Sequence, residues 1–351
     1  MSNNRKKKKM AKMVRLSDIA EKLEISTVSV SKALSNQKGV SEELRLKIRE
    51  VADEMGYIPI STMKKKNSDK NFNIGVLLPN KFLDQYDSFY WQLYQKIATE
   101  VVKKDSFSML EVIDEKDEQT LHLPKLLSED KVDGLILLGS PINGYAKMIQ
   151  KKSKVPVVYL DFVEPEVEED SVISDGYNGT YKMTNYLFSL GHKKIAYVGT
   201  LLATGSITDR YFGYCKSLLE HDVEVRKEWI LPDRTLGKDS DLDEVIKVPE
   251  NMPTGFVCNC DLSAAILIKK LREKGFKVPE EISVTGFDNY LYPGLSKEEI
   301  TTINVDKEKM AKYTINMLIK KMKNPEYHYG VRVVPGELIV RKTTQEIEEN
   351  S

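Results

Sequence analysis

The 351-residue chain carries 53 Lys/Arg and 53 Asp/Glu, is 41% hydrophobic, and has no apolar run near the ~18 residues of a membrane helix. Its length exceeds what one hydrophobic core comfortably supports, and its three cysteines (215, 258 and 260) are too few for a disulfide framework and suit a reducing cytoplasm. The lysines near the start have no apolar stretch behind them, which excludes a secretory signal pattern.

The balanced net charge hides an asymmetry. Residues 1–70 hold 17 Lys/Arg against nine Asp/Glu, so this segment is +8 and the remainder is −8. A basic head on an acidic body suits a polyanion-binding module joined to a separate domain. The run Arg5–Lys9 reads equally well as a solvated arm.

Three short helical patterns follow. Leu16, Ile19, Ala20 and Leu23 share one helix face, with Ser17 as the expected N-cap. Ser26 is placed to cap a second helix from Thr27 to Leu34, whose inner face is Val30, Ala33 and Leu34. Ser41 caps a third, with Leu44, Ile48, Val51, Ala52 and Met55 inward and Gly56 as the stop. Two short helices buttressed by a third form a helix-turn-helix, and the second would turn Thr27, Val28, Ser29 and Lys32 outward. Lysine can donate to a guanine edge or a phosphate, and Val28 or the Thr27 methyl can meet a thymine methyl.

The stretch from Val14 through Ser26-Thr-Val-Ser-Val-Ser31-Lys-Ala-Leu-Ser, with Val40-Ser, Arg45-x-Lys-Ile and Gly56-Tyr-Ile-Pro59, resembles the headpiece of the lactose-repressor (LacI/GalR) family. The resemblance implies base contacts from Thr27, Val28 and Lys32, and backbone contacts from Ser26, Ser31 and Asn36. Two positions depart from the pattern. Glu24 stands in a turn where the family usually has glycine, and Lys64-Lys65-Lys66 replace the segment that normally carries a wedging leucine. Those lysines point to phosphate or minor-groove contact, or to a flexible basic linker.

From Phe72 apolar strands alternate with amphipathic helices. Strands are expected at Asn73–Leu78, Ser108–Ile113, Val132–Leu138 and Val155–Leu160, and in a second series at Ser171–Ser174, Lys194–Val198, Gly255–Cys258 and Ile282–Gly286. Helices are expected at Phe89–Lys103, Tyr177–Leu190, Asp209–Leu219 and Ser263–Lys274. The fold class is therefore α/β: an N-terminal three-helix headpiece, then two doubly wound Rossmann-like lobes with a ligand cleft between them. The expected boundaries are 14–60 for the headpiece, 61–71 for a hinge and 72–344 for the core. Within the core the N-lobe takes about 72–165 and 304–326, and the C-lobe about 166–303 and 327–344.

No dinucleotide, Walker, GxSxG or HExxH motif is present, and the four histidines lack ligand spacing, so neither cofactor nor metal is expected. Cys258-Asn-Cys260 has no partner pair and reads as buried thiols. Val132-Asp-Gly-Leu-Ile136, Leu190-Gly-His-Lys-Lys-Ile-Ala196, Arg210-x-x-Gly-Tyr214, Ile282-Ser-Val-Thr-Gly-Phe-Asp-Asn289 and Ile300-Thr-Thr-Ile-Asn-Val-Asp306 resemble the core of the same family, which is similar in fold to periplasmic sugar-binding proteins. That resemblance implies a homodimer on double-stranded operator DNA, away from any membrane, controlled by a small-molecule effector, most often a carbohydrate. It places Tyr90, Trp91, Asp161, Arg210, Cys260, Asp261 and Asp288 at the effector. The rival readings are a sugar-binding transport protein and a sugar-modifying enzyme using Asp161 and Asp288 as paired carboxylates. The missing leader pattern opposes the first, and the lack of a nucleophile or metal set opposes the second.

Overall fold

A computed structural model describes residues 14–34, 37–55, 57, 71–83, 88–142, 144–165, 169–236, 242–290 and 299–347. The chain divides into two units, residues 1–70 and 71–351.

The first unit contains α1 (Leu16–Lys22), α2 (Thr27–Leu34) and α3 (Glu42–Glu54). Ile19, Ala20, Val30, Ala33, Ile48 and Ala52 are its buried core. Ser26 caps α2 as expected, its Oγ accepting the Ser29 N–H at 3.1 Å. The expected cap at Ser17 is replaced: Arg15 is the cap, so α1 begins two residues earlier, and the Arg15 N–H donates to the Asp18 carboxylate at 2.8 Å. An acid at this position reaches back to the cap N–H, which leaves Ser17 inside the first turn. Glu24 adopts φ +53, the left-handed turn conformation that glycine takes more cheaply.

The second unit has two six-stranded sheets. The first contains β1 (Asn73–Pro79), β2 (Phe107–Ile113), β3 (Gly134–Leu138), β4 (Val157–Leu160) and β5 (Asp170–Ser174). The second contains β6 (Ile195–Val198), β7 (Ile230–Leu231), β8 (Gly255–Cys258), β9 (Ser283–Asp288) and β10 (Thr301–Asn304). β11 (Val331–Val334) then joins the first sheet and β12 (Glu337–Ile339) the second. The orders are β11-β5-β4-β3-β1-β2 and β12-β10-β9-β8-β6-β7, parallel throughout except for β12. Each lobe thus reverses its winding once, between β1 and β3 and between β6 and β8. In open parallel sheets the crevice beyond the strand carboxyl ends at such a reversal takes ligands.

Five long helices cover the sheets: α4 (Phe89–Val102), α5 (Gly176–Ser189), α6 (Gly205–Glu220), α7 (Asp261–Glu273) and α8 (Lys307–Lys323). α5 packs on the second sheet, and α8 packs on β3, β4, β5 and α4 of the first. The chain therefore passes between lobes after β5, after β10 and after β11. This corrects the sequence-based lobe assignment, which put Ser171–Ser174 and 327–344 in the second lobe: β5 and β11 belong to the first sheet, and of the 327–344 segment β12 joins the second. The physical reason is Asp170: its buried carboxylate accepts the Tyr329 and Gly330 N–H groups at 2.7 Å each, fastening β11 beside β5.

Candidate functional site

Two surfaces qualify, one in each unit. In the first, α2 commits Val30 and Ala33 to the core and leaves Ser26, Thr27, Val28, Ser31 and Lys32 exposed. Val28 is 60% exposed, an apolar side chain held in solvent at the start of the helix. A residue absent from the expected set fixes this helix: Arg45 of α3, whose buried guanidinium donates to Ala33 O at 3.2 Å and Gln37 O at 3.0 Å. It thereby satisfies a carbonyl at the end of α2 and ties the following loop to α3. Asn36, Lys64, Lys65 and Lys66, together with the hinge at 61–70, Gly56, Pro59 and the Arg5–Lys9 arm, lie outside the described residues.

In the second unit the strand carboxyl ends gather a polar cluster. Arg210, on the second turn of α6, is 5% exposed and donates to Asp288 Oδ1 at 3.1 Å and to the Asn259 carbonyl. Its guanidinium lies 3.8 Å from the Phe287 ring centroid, a cation–π floor, and its buried Nε has no hydrogen-bond partner among the described residues. Asp288 closes β9 with φ +95, and Asp161 follows β4 with φ +67, both conformations that cost a non-glycine residue about 1 kcal/mol or more. Strained residues at strand ends cluster at ligand sites.

The first lobe contributes Asp161, which accepts the Tyr90 hydroxyl at 3.0 Å and the Ser174 hydroxyl at 3.2 Å. Burial pushes the Asp161 carboxyl up to about 6, with Arg210 opposing and Asp288 assisting. Burial and the Asp161 charge likewise hold the Tyr90 hydroxyl well above the usual phenol range, so it acts as a donor. Phe82 packs against Tyr90 with centroids 4.2 Å apart and ring planes tilted by 33°. Gly139, with φ +77, makes room for that pair, since a Cβ there would lie 2.5 Å from the Phe82 ring.

Tyr90, Asp161, Arg210 and Asp288 therefore come together, as their mutual electrostatic influence shows. Three other expected contacts sit differently. Trp91 packs along its own helix against Tyr94, centroids 5.4 Å apart. Cys260 caps α7, its Sγ accepting from the Ser263 N–H at 3.5 Å, and burial raises its thiol to about 11. Asp261 turns beneath β9, accepting the Tyr290 N–H at 2.7 Å, and Gly286 must lack a Cβ because one would fall 2.0 Å from Asp261 Oδ1. Burial first, and then Asp288, drive the Asp261 carboxyl well above the usual range.

Sequence reasoning missed Arg234 and Lys307. Arg234 grips fully buried Asp233 through Nε at 3.1 Å and a terminal nitrogen at 2.7 Å, a two-point pairing. Burial opposes ionisation of Asp233, but Arg234 and hydrogen bonds from Asn259 and the Thr200 N–H hold its carboxyl well below the usual range. The Arg234 side chain remains one-third exposed, and the charges of Cys260 and Tyr90 act on it. Both residues lacked a local signal: Pro232-Asp-Arg reads as a solvated turn, and Lys307 as helix surface. Among the described residues no group of three metal-binding side chains assembles, and no helix is long and apolar enough to cross a membrane.

Residues 15–59 match the family model for bacterial regulatory proteins of the lacI family, and residues 184–344 match a periplasmic binding protein-like domain. The transcriptional repressor PurR of Aliivibrio salmonicida is 25% identical over 338 residues, covering 95% of this chain and all of the relative. CytR of Escherichia coli K12 is 26% identical over 342 residues, covering 97% and 99%. Among solved structures, the lac repressor dimer bound to operator and an anti-inducer is 24% identical with a TM-score of 0.62, covering 95% and 100%. A CelR–cellobiose complex is 19% identical with a TM-score of 0.67, covering 94% and 99%. These structures show a common fold along nearly the full length.

Proposed function

We infer that this chain, which belongs to the lacI family of bacterial regulatory proteins, is a sequence-specific DNA-binding transcriptional repressor governed by a small effector in its core cleft. The observation that carries this reading is α2: its inner face is spent on the headpiece core while Thr27, Val28 and Lys32 face outward on a helix pinned by Arg45. A helix so fixed can enter a major groove and present its first turn to base edges. The chain acts as a homodimer in the cytoplasm, placing two such helices in successive grooves about 34 Å apart. It is a binding protein rather than an enzyme.

The effector is a carbohydrate. Arg210 supplies planar donors, Asp161 and Asp288 supply acceptors, and the exposed side of Tyr90 offers an aromatic face to the C–H surface of a sugar ring. Arg234 adds a second guanidinium at the same mouth. Effector binding shifts operator affinity only by its differential affinity for the two cleft states.

Calorimetric titration of the full-length protein with pooled neutral mono- and disaccharides, then with nucleosides, tests the effector class. Heat from a sugar pool that disappears in Arg210→Met supports it. Heat from nucleosides alone would replace the carbohydrate with a base-bearing ligand.

A further inference from the structure

Lys307 opens α8 just after the chain leaves β10 for the first lobe. Its ammonium donates to the Asp288 carbonyl at 3.2 Å and stands 5.2 Å from the Phe89 ring centroid. Asp288 ends β9 in the second lobe, whereas Phe89 begins α4 in the first. One side chain therefore touches both walls of the cleft. On the second-lobe wall, the residue it touches is the one that holds Arg210. On the first-lobe wall, it touches the residue preceding Tyr90, whose hydroxyl is bound to Asp161.

The neighbouring charges are arranged so that Lys307 is not drawn elsewhere. Lys96 pairs with Glu308 at 2.7 Å and Lys309 with Asp306 at 3.0 Å, both on the outer side of the helix start. Lys307 has no ion pair within 4.0 Å among the described residues. The charges acting on it are Asp288, Asp261 and Asp306, which favour the ammonium, and Lys96, which disfavours it. A half-buried ammonium that takes a carbonyl and an aromatic face in place of a carboxylate is costly to keep. Burial accordingly draws its affinity for a proton down.

We propose that Lys307 is a positioning residue, an inter-lobe latch whose ammonium holds the β9 end against α4 and α8 and sets the cleft angle before any effector binds. The latch acts on the cleft states that govern operator affinity in the function inferred above, but its existence does not depend on that function. The asymmetry of its contacts supplies the mechanism. The hydrogen bond reaches the backbone of Asp288, so the carboxylate of the same residue stays free to hold Arg210 and a ligand hydroxyl. Loosening the latch thus moves a lobe without removing a ligand contact.

The test uses nitroxide labels at Lys116→Cys and Leu202→Cys, both exposed beyond strand carboxyl ends on opposite lobes, in a Cys215→Ala background of the full-length protein. Pulsed electron–electron distance measurement, with neither sugar nor DNA present, should give one narrow distribution at neutral pH. Lys307→Met should broaden it and move it to longer distances, and Lys307→Arg should restore the narrow form. Raising the pH until the ammonium is lost should carry the unsubstituted protein toward the Met distribution while leaving Lys307→Met unchanged. A Met distribution that superimposes on the parent's overturns the latch. Should Lys307→Met fail to fold, the alkaline shift of the parent decides: a shift supports the latch, and a fixed distribution overturns it. Because no ligand or operator is present, a chain that bound no sugar would still return either answer.

Discussion

Replacing Arg210 by methionine gives the sharpest energetic signature of the cleft. The substitution strips Asp288, only 8% exposed, of its counter-charge at 3.1 Å and deprives the Asn259 carbonyl of its donor. Breaking a buried pair from one side costs about 3–5 kcal/mol, because the surviving charge stays desolvated. Asp288→Leu should cost a similar amount for the reciprocal reason. The double variant should be more stable than either single one. Phe287, already packed under the guanidinium, offers the new methionine an apolar floor, leaving the orphaned Asn259 carbonyl at about 1–2 kcal/mol. The cycle thus predicts a coupling of several kcal/mol, read from urea midpoints of the core transition followed by tryptophan fluorescence. Additive losses in the double variant would show that the two residues do not interact and would refute the clasp.

Other substitutions probe the remaining parts. Lys32→Ala should relax preference at one base pair at a cost of about 1–3 kcal/mol, measured by competition among single-base operator variants. An equal loss on every sequence would make Lys32 a phosphate contact. Arg45→Met should destabilise the headpiece by about 2–3 kcal/mol, since the Ala33 and Gln37 carbonyls lose a shared donor. An unchanged headpiece melting temperature would contradict that. Asp161, raised from 3.8 to about 6 chiefly by burial, binds a proton more readily folded than unfolded. Its destabilising effect is therefore absent below the unfolded value and grows as pH rises through 3.8 toward about 6. Asp161→Asn should accordingly stabilise the core by up to about 3 kcal/mol near neutral pH and make no difference near pH ~3. A difference that is flat with pH would rule this out.

Period and punctuation made much of this architecture legible. The apolar stretches at 73–78 and 255–258 lie within strands, and Ser26 caps the helix it announces. Sheet membership was harder to read. Ser171–Ser174 carries nothing in its own sequence that names its sheet, and the Asp170 carboxylate reaching Tyr329 and Gly330 fastens it to β11 in the first. β7, two residues long, and β12, three residues long, are too short to show alternation. At the site, Arg210 and Asp288 stand in recognisable strings, whereas Arg234 and Lys307 become cleft residues only because the strand ends converge. Asp261, whose position after β8 suggested a ligand contact, has one carboxylate oxygen on the Tyr290 N–H, a pairing no local string announces.

The central claim is that α2 reads DNA as part of a dimer, and selection of bound sequences from a random duplex pool by the purified full-length protein tests it most directly. At near-physiological salt, with and without pooled sugars, the account predicts an enriched palindrome whose half-sites lie about one helical turn apart. It also predicts that Lys32→Ala loses a defined base preference within each half-site and that enrichment changes when the effector is present. Failure to enrich any sequence under either condition, from protein whose headpiece is folded, would contradict it.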